Sequence, residues 1–394
     1  MQPQAANTLP TPGTAEQSHS DQLTQVIRNE IDNAGGAIPF DRFMELALYA
    51  PSLGYYVAGQ RKFGATGDFI TSPEISPIFA HCLARQSQQI LKQLPTGELL
   101  EFGAGSGILA ADLLAELEQL GSLPEHYLIL DISPDLRLRQ QETLQQKVPH
   151  LLSRVQWIDR LPEQFCGIII ANEVLDAMPV QRFRIGDEWI EEEFITYNNQ
   201  GEFTTLYKPA DTPGLIQRID EINNLQPLPV GYLSEVNQRA TSWIRALAAS
   251  LQQGAVFLID YGYPQREFYL PERSTGTLMC HFQHRAHDDP FKLVGLQDIT
   301  AYVDFSAIAD TAHEAGLRVD GFATQAHFLM SCRLEQILAK SDPDDLINHL
   351  ELMQGVKKLT LPSEMGERFK VLGLSRDLEE EPIGFSLMNM LDHL

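Results

Sequence analysis

Three glycines separate an apolar segment from a helix-forming segment in the stretch Leu99-Leu-Glu-Phe-Gly-Ala-Gly-Ser-Gly-Ile-Leu109. Glycine permits a tight turn from strand to helix and lets a ligand approach the backbone closely. A dinucleotide fingerprint needs its third glycine one position later, where this chain has Ile108, and no phosphate-binding lysine follows the turn. The stretch therefore predicts a strand, turn and helix that bind neither a dinucleotide nor a nucleoside triphosphate.

Acidic residues accompany this turn. Glu101 immediately precedes it, and Asp131 ends the next predicted strand. A carboxylate at the end of the second strand can accept hydrogen bonds from ribose hydroxyls. We therefore expect S-adenosylmethionine rather than NAD, bound by Glu101, Gly103, Ala104, Gly105, Gly107, Asp131 and Ile132. The alternative is that the glycines serve only packing and that Asp131 only caps the next helix.

Strands and helices alternate over much of the chain. Predicted strands at 98–101, 127–131, 155–158, 167–172 and 255–260 and predicted helices at 108–120 and 134–146 indicate a mostly parallel sheet with helices on both faces. Residues 181–185 and 189–195 alternate in polarity, which predicts antiparallel β additions. Residues 40–49 are predicted to form a helix, and 317–323 and 326–330 a pair of strands.

These elements give four predicted segments. They are a flexible tail (1–21), an N-terminal helical and lid segment (22–95), a domain with the alternating elements (96–335) that carries an insertion at about 180–245, and a C-terminal helical segment (336–394).

Composition limits the classes of function. The net charge of −24 argues against a nucleic-acid binder. No apolar run approaches the roughly 20 residues that span a bilayer. Residues 1–21 lack the pattern of a signal peptide, and the four cysteines lack CxxC spacing. A cytoplasmic protein is therefore expected.

Polar residues also follow other predicted strands. Asn172, Glu173 and Asp176 come after the strand 167–172, and Asp260 and Tyr261 end the strand 255–260. Ligands bind beyond the carboxyl ends of parallel strands, so these side chains are expected at one crevice. On a turn that leads into a helix, Glu173 and Asp176 would share a face and could hold a guanidinium cation. The alternative is that Asp176 starts a helix and Glu173 is a surface charge.

Six ordered blocks of this sequence resemble the MidA-type methyltransferases, whose mitochondrial members act in the assembly of respiratory complex I. The blocks are Gly54-Tyr-Tyr56, 67–76, 101–107, 172–179, 259–262 and 297–305. The resemblance implies an α/β fold, namely a Rossmann-like seven-stranded class I S-adenosylmethionine-dependent methyltransferase sheet with an N-terminal helical lid segment and inserted β/α elements. The family turn commonly carries an arginine where this chain has Ser106, and the late block commonly has histidine at Tyr302.

The resemblance also implies methylation of an arginine side chain on a protein partner, such as a respiratory-complex subunit. Glu173, Asp176 and Glu74 are then the expected catalytic residues, because carboxylates can orient a guanidinium group and stabilise added positive charge. Thr71 and Asn172 are expected to contact the cofactor. The expected substrate contacts are Asp260, Tyr261, His281 and His284.

Two alternatives remain open at this stage. The same fold allows a methyltransferase for a small molecule or another protein residue, and it allows an assembly factor that binds S-adenosylmethionine without catalysis. The cluster of histidines and acids at 280–289 matches no zinc spacing, so no metal is predicted there and a loop that shapes the substrate pocket is expected. The sequence does not define an oligomeric state.

Overall fold

The computed structural model describes residues 9–58, 71–339 and 345–394. The chain forms two compact units. Unit 1 comprises Met1–Ile70, Ala177–Val236 and Pro271–Ala301, and unit 2 comprises Thr71–Asp176, Asn237–Leu270 and Tyr302–Leu394. Unit 1 is therefore assembled from three stretches of sequence, whereas the predicted insertion was a single stretch.

The strands in the described residues are β1 (Ile38–Pro39), β2 (Glu98–Phe102), β3 (Tyr127–Leu130), β4 (Val155–Ile158), β5 (Phe165–Asn172), β6 (Gln181–Ile185), β7 (Ile190–Tyr197), β8 (Phe203–Pro209), β9 (Leu233–Val236), β10 (Leu251–Tyr263), β11 (Met279–Phe282), β12 (Arg285–His287), β13 (Asp298–Thr300), β14 (Val303–Asp304), β15 (Arg318–Thr324) and β16 (Phe369–Arg376).

The helices in the same residues are α1 (Thr14–Asn33), α2 (Phe40–Tyr49), α3 (Ser72–Ile75), α4 (Ile78–Leu91), α5 (Ile108–Gln119), α6 (Pro134–Lys147), α7 (Leu215–Leu225), α8 (Gln238–Ser250), α9 (Gln265–Phe268), α10 (Phe305–Glu314), α11 (Gln325–Ser331), α12 (Leu334–Leu338), α13 (Leu346–Thr360) and α14 (Met365–Arg368), with short 3-10 helices at Pro149–Arg154, Ile383–Phe385 and Leu391–His393.

Unit 2 is built on a mixed sheet in the order β15-β16-β10-β5-β2-β3-β4. The strands β4, β3, β2, β5 and β10 are parallel, and β16 is antiparallel to both of its neighbours. The short strand β14 pairs with the end of β10, so the described sheet has eight strands where seven were predicted. Ile168, Ile169 and Ile170 are fully buried, as expected of a parallel strand covered on both faces.

The C-terminal half of unit 2 differs from the sequence prediction in two places. Residues 326–330 lie in helix α11, so the predicted second strand is wrong. A short apolar run can form either a helix or a strand. Here the Thr324 side chain accepts a hydrogen bond from the His327 N–H and caps the helix, which favours the helix. The segment predicted to be helical also contains the buried strand β16.

Unit 1 contains a five-stranded antiparallel sheet, with β1, β7, β6 and β9 in order and β8 paired to β7, and a small sheet in the order β12-β11-β13. Helices α1 and α2 pack their apolar faces, including Leu23, Ile27 and Phe43, into its core. Helix α2 has the predicted bounds. Helix α1 begins at Thr14, inside the segment predicted as a flexible tail. No helix among the described residues is long and apolar enough to cross a membrane.

Candidate active site

The glycine turn connects β2 to α5. Gly103, Gly105 and Gly107 have φ values of +61°, +52° and +81°, which residues with a Cβ rarely adopt. At Gly107 a Cβ would also lie 2.8 Å from the Cα of Gln140 in α6. Gly103 is exposed whereas Ala104 is buried. The exposed backbone at Gly103, which has no side chain of its own, is therefore open to a ligand.

Gln140 links this turn to Asp131. Its side-chain amide donates to the Gly105 carbonyl at 3.2 Å and to Asp131 Oδ2 at 2.8 Å. Asp131 Oδ1 accepts from the Ser133 N–H at 2.9 Å. Burial raises the pKa of Asp131, and these hydrogen bonds oppose the rise. Each carboxylate oxygen has two lone pairs, so Asp131 can still accept from a ribose hydroxyl.

Two neighbours of Asp131 differ sharply in exposure. Ile132 is 59% exposed, so the residue after Asp131 offers an apolar surface beside the predicted ribose contact. Glu101 is buried, and the Tyr127 hydroxyl donates to its Oε2 at 2.6 Å. Burial raises the pKa of Glu101 to about 7, and the charge of Asp131 adds to the rise while the Tyr127 hydrogen bond opposes it.

The chain turns sharply after β5. Glu173 has a φ of +55°, in the left-handed region, and residues 173–179 form an irregular segment with a turn at 176–177. The expected helical face shared by Glu173 and Asp176 is therefore absent, because a left-handed residue cannot continue a right-handed helix. Such backbone strain in a residue other than glycine is common at functional sites.

Three donors hold the half-buried Glu173 carboxylate. Its Oε1 accepts from Asn172 Nδ2 at 3.0 Å and from the Ser72 N–H at 3.3 Å, and the Tyr261 hydroxyl also donates to the carboxylate. Burial raises the pKa of Glu173 to about 8, the charge of Asp260 adds to the rise, and the three hydrogen bonds oppose it. A cation beside Glu173 would lower this pKa and favour the ionised carboxylate.

Asn172 provides an acceptor with no protein donor. Because its Nδ2 donates to Glu173, the orientation of the amide is fixed and Oδ1 is the remaining polar atom. Oδ1 is buried and has no hydrogen-bond partner within the described residues. An unsatisfied buried acceptor costs roughly 1–3 kcal/mol. A ligand N–H group at this position would remove that cost.

Asp260 fixes the turn that follows Glu173. Its Oδ2 accepts from the N–H groups of Val174, Leu175 and Asp176 at 3.2, 2.9 and 3.2 Å, and its Oδ1 accepts from the Tyr261 N–H at 2.9 Å. The side chain is fully buried, and burial raises its pKa. Asp260 thus holds backbone in this structure, where a substrate contact was predicted. Asp176 is also buried, at 4% exposure.

Tyr261 joins an aromatic cluster to the site. Its ring stacks on Tyr302 with centroids 6.0 Å apart and lies 4.4 Å from the ring centroid of Phe369. Tyr302 also packs against Tyr263, with ring centroids 5.6 Å apart. The cluster orients the Tyr261 hydroxyl that donates to Glu173.

Glu74 approaches the glycine turn from helix α3. The Ser106 hydroxyl donates to Glu74 Oε1. Thr71 occupies the N-cap position of α3, and its carbonyl accepts from the Glu74 N–H at 3.0 Å. The structure therefore places Thr71 and Glu74 beside the turn, while residues 67–70 of the predicted lid lie outside the described residues.

His281 and His284 belong to unit 1, whereas all the other predicted site residues belong to unit 2. His281 lies in β11, and burial lowers its pKa, with a further contribution from His287. His284 is exposed in the turn before β12. Within residues 9–58, 71–339 and 345–394, no three His, Cys, Asp or Glu side chains are grouped so that they could hold a metal ion.

Sequence reasoning missed the residues that hold the predicted site together, above all Gln140 and Tyr127. Gln140 had a detectable signal. It falls on the buried stripe of α6 together with Leu136 and Leu144, and a polar residue on an apolar stripe must find a buried partner. Tyr127 shows no comparable signal, since tyrosine is an ordinary strand residue.

These features define the class of the protein. The α/β fold with its mixed sheet, the open glycine turn after β2 and the acid after β3 are those of a class I S-adenosylmethionine-dependent methyltransferase. The residues fit this cofactor, since Asn172 Oδ1 and the turn backbone offer polar contacts that the described protein residues leave unfilled.

Comparison with known proteins supports this assignment of class. The chain belongs to the family described as "Putative S-adenosyl-L-methionine-dependent methyltransferase", whose model matches residues 82–323. It is 42% identical to a COG1565 superfamily member from Burkholderia thailandensis, whose crystal structure contains S-adenosyl-homocysteine. That structure has a TM-score of 0.94, and the match covers 98% of this chain and 100% of that one. The predicted family, cofactor and enzyme class are confirmed.

Two curated relatives carry a more specific name. "Protein arginine methyltransferase NDUFAF7, mitochondrial" of Mus musculus is 30% identical over 91% of this chain and 86% of its own length. The Drosophila melanogaster protein "Protein arginine methyltransferase NDUFAF7 homolog, mitochondrial" is 29% identical over 94% of this chain and 90% of its own length. The predicted cytoplasmic location is contradicted by these relatives, which are named as mitochondrial proteins. The cysteine pattern and the composition of residues 1–21 do not establish a location.

Proposed function

We propose that this methyltransferase acts on an arginine side chain of a partner protein. The observation that carries the proposal is the Glu173 carboxylate, which three neutral donors orient at the end of β5 and which forms no ion pair within the described residues. A guanidinium group is a planar cation that carboxylates bind well. The names of the curated relatives support the same substrate class.

Cofactor contacts are proposed for the glycine turn, Asp131, Ile132 and Asn172. The turn backbone at Gly103 and Gly105 would approach the ligand, Asp131 would accept from a ribose hydroxyl, and Ile132 would cover an apolar face. When bound, S-adenosylmethionine supplies a methyl group already activated by its sulfonium. The protein therefore has only to align the acceptor nitrogen with the methyl group and to exclude other orientations of the substrate.

Glu173 has two tasks in this proposal. Its carboxylate orients the guanidinium group, and its charge compensates the positive charge on the acceptor nitrogen as the new N–C bond forms. One proton must leave that nitrogen when the methylated guanidinium is restored. Burial raises the pKa of Glu173 to about 8 in the free protein, and a bound guanidinium would favour the ionised carboxylate, which can then accept this proton. Glu74 borders the glycine turn and is proposed as a second carboxylate near the cation.

Three predicted residues take modified roles. Asp260 is proposed as a positioning residue, because its four backbone hydrogen bonds hold the 174–176 turn and Tyr261. Asp176 is proposed as a structural part of the same turn, since its backbone N–H donates to Asp260. Glu101 is proposed to support the glycine turn from its buried position at the end of β2, where the Tyr127 hydroxyl donates to its carboxylate.

The test combines cofactor binding with labelling. We expect micromolar binding of S-adenosylhomocysteine, on the order of −8 kcal/mol, to the wild type and to Glu173→Gln, and loss of binding in Gly105→Val. Methyl-labelled S-adenosylmethionine, incubated with an extract of cells lacking this protein, should label protein arginine with the wild type. The Glu173→Gln variant should label at least about a hundredfold more slowly.

Each other outcome assigns a different function. Labelling of small metabolites without protein would replace the arginine proposal by a small-molecule methyltransferase. Cofactor binding without any labelling, and cellular function that survives Glu173→Gln, would identify a non-catalytic assembly factor. We further propose a respiratory-complex subunit as the partner, on the family resemblance, and mass spectrometry of the labelled band tests it.

A further inference from the structure

A second candidate site lies in unit 2 on α4, α12 and the segment 380–383. It is a cavity of about 300 Å³, and its charged and amide lining includes Arg85, Lys92, Arg333, Gln89, Gln93 and Glu380. Helix α4 ends at Leu91 and the chain enters β2 at Glu98. The cavity therefore lies toward the amino end of β2, whereas the glycine turn follows its carboxyl end. We call it the basic pocket.

The basic pocket concentrates positive charge in an acidic protein. Three cations and one carboxylate line it, although the whole chain has 29 Lys and Arg against 53 Asp and Glu. The side chains of Arg85, Lys92 and Arg333 form no hydrogen bond or ion pair within the described residues. Glu380 offsets one of these three positive charges, and the charges that remain in excess repel each other. A bound anion would relieve that repulsion.

Arg85 gives a more specific indication. Its Nε is buried and has no acceptor within the part of the chain that the structure describes. Arg28 and Arg273 also have a buried Nε without an acceptor, but both side chains have other contacts, and Arg28 donates to the Gly201 carbonyl. Arg182 contacts two carboxylates, and Arg376 donates to three backbone carbonyls. An arginine donor that is buried without an acceptor costs free energy. At Arg85 this cost arises in the wall of the pocket.

The wall of the pocket is held in place by side-chain amides. Gln89 donates to the Glu381 carbonyl at 2.9 Å and accepts from the Ile383 N–H at 3.0 Å. Gln93 Oε1 accepts from the Glu380 N–H at 2.9 Å. These bonds attach the 380–383 segment to α4. The cavity is therefore preformed, which lowers the entropy cost of binding.

We propose that the basic pocket binds a small multivalent oxyanion, either a phosphate or a polycarboxylate. Guanidinium groups match the oxygen geometry of both, and the lysine adds a compact positive charge. The volume is at the lower end of the range for small-molecule sites. The described residues that line the pocket include no aromatic side chain that could stack on a base. A compact anion therefore fits better than a nucleotide.

The test uses the full chain with pyrophosphate and citrate as probes, titrated by calorimetry at constant ionic strength. The triple variant Arg85→Gln, Lys92→Gln, Arg333→Gln should bind the preferred anion at least about tenfold more weakly than the wild type. The control variant Arg160→Gln, Arg245→Gln, Lys357→Gln removes the same charge from exposed positions elsewhere and should bind within about twofold of the wild type.

S-adenosylhomocysteine titration of each variant shows that it is folded, and it separates this inference from the proposed function. Binding of either probe with selective loss in the pocket variant supports the proposal, and the tighter probe identifies phosphate or carboxylate as the ligand group. The proposal is overturned if the wild type binds neither anion at millimolar concentration. Equal loss in the two triple variants would also overturn it, because general charge would then explain the binding.

Discussion

Two pairs of carboxylates, Glu193 and Glu235 in unit 1 and Glu173 and Asp260 in unit 2, have different partners. In unit 1, Glu193 and Glu235 contact Arg182 at 3.0 and 3.3 Å, and all three side chains are nearly inaccessible. In unit 2, Glu173 and Asp260 form no ion pair within the described residues, and neutral donors hold them. At Glu173 a cationic ligand can therefore supply the positive charge that Arg182 supplies to Glu193 and Glu235 in unit 1.

The largest effect is expected from Arg182→Met. This change leaves Glu193 and Glu235 buried without their cation, so the free energy of unfolding should fall by about 3–5 kcal/mol. Urea denaturation measures it. The matched control is Arg42→Met, since Arg42 contacts Glu30 and Glu45 at 2.9 and 2.8 Å but is 38% exposed, and it should lose less than about 1 kcal/mol. Equal losses would contradict the comparison.

The next effect is the pH dependence of stability. The pKa of Glu173 is raised from 4.5 to about 8 in the folded protein. The folded state then keeps a proton that the unfolded chain releases, so Glu173 makes stability fall as pH rises from 5 to 8. Glu173→Gln should reduce that fall by on the order of 2–4 kcal/mol. Unfolding of both proteins at pH 5 and pH 8 measures the difference, and parallel profiles would show that Glu173 has an ordinary pKa.

A smaller loss of about 1–3 kcal/mol is expected from Asp260→Asn, because one amide oxygen cannot replace a carboxylate that accepts four backbone N–H groups. Methyl transfer should also slow, since the 174–176 turn loses its support. The control Asp345→Asn changes an exposed N-cap of α13, where asparagine serves as well as aspartate. A loss no larger than in the control would refute the positioning role of Asp260.

The smallest effect is expected from Ser106→Ala. It removes the hydroxyl that donates to Glu74, and the half-buried carboxylate can be hydrated instead, so the loss should be about 1 kcal/mol or less. Thermal unfolding and S-adenosylhomocysteine titration measure it. Ser242→Ala on the exposed face of α8 should change neither quantity. A loss of several kcal/mol would indicate that Glu74 is as deeply buried as the acids of unit 1.

The sequence predicted the part of the fold in which the signals are local. Strand β4 and helix α2 have the predicted bounds, and the glycine turn lies between β2 and α5 as expected. Hydrophobic periodicity and glycine spacing are local features of the sequence, so they can be recognised without the tertiary structure. The partners of the buried acids were not predictable in this way, because Tyr127, Gln140 and Ser72 reach Glu101, Asp131 and Glu173 only in the folded chain.

The errors have physical causes too. A short apolar run does not distinguish a helix from a strand. Residues 326–330 form a helix, and the Thr324 hydroxyl caps its N-terminus. Strand β16 was missed inside a segment predicted to be helical, although its eight residues are almost all buried. The left-handed backbone at Glu173 depends on contacts from β10, such as the bond from the Glu173 N–H to the Ile259 carbonyl, and no local pattern encodes it.

The position of β16 has a consequence for synthesis on the ribosome. This strand lies between β10 and β15, so β10 pairs with β5 on one side only until residues 369–376 have been made. During translation β10 is an apolar edge strand, the kind of surface that recruits other chains or chaperones. The sheet that carries the candidate site can therefore be completed only after residues 369–376 have left the ribosome.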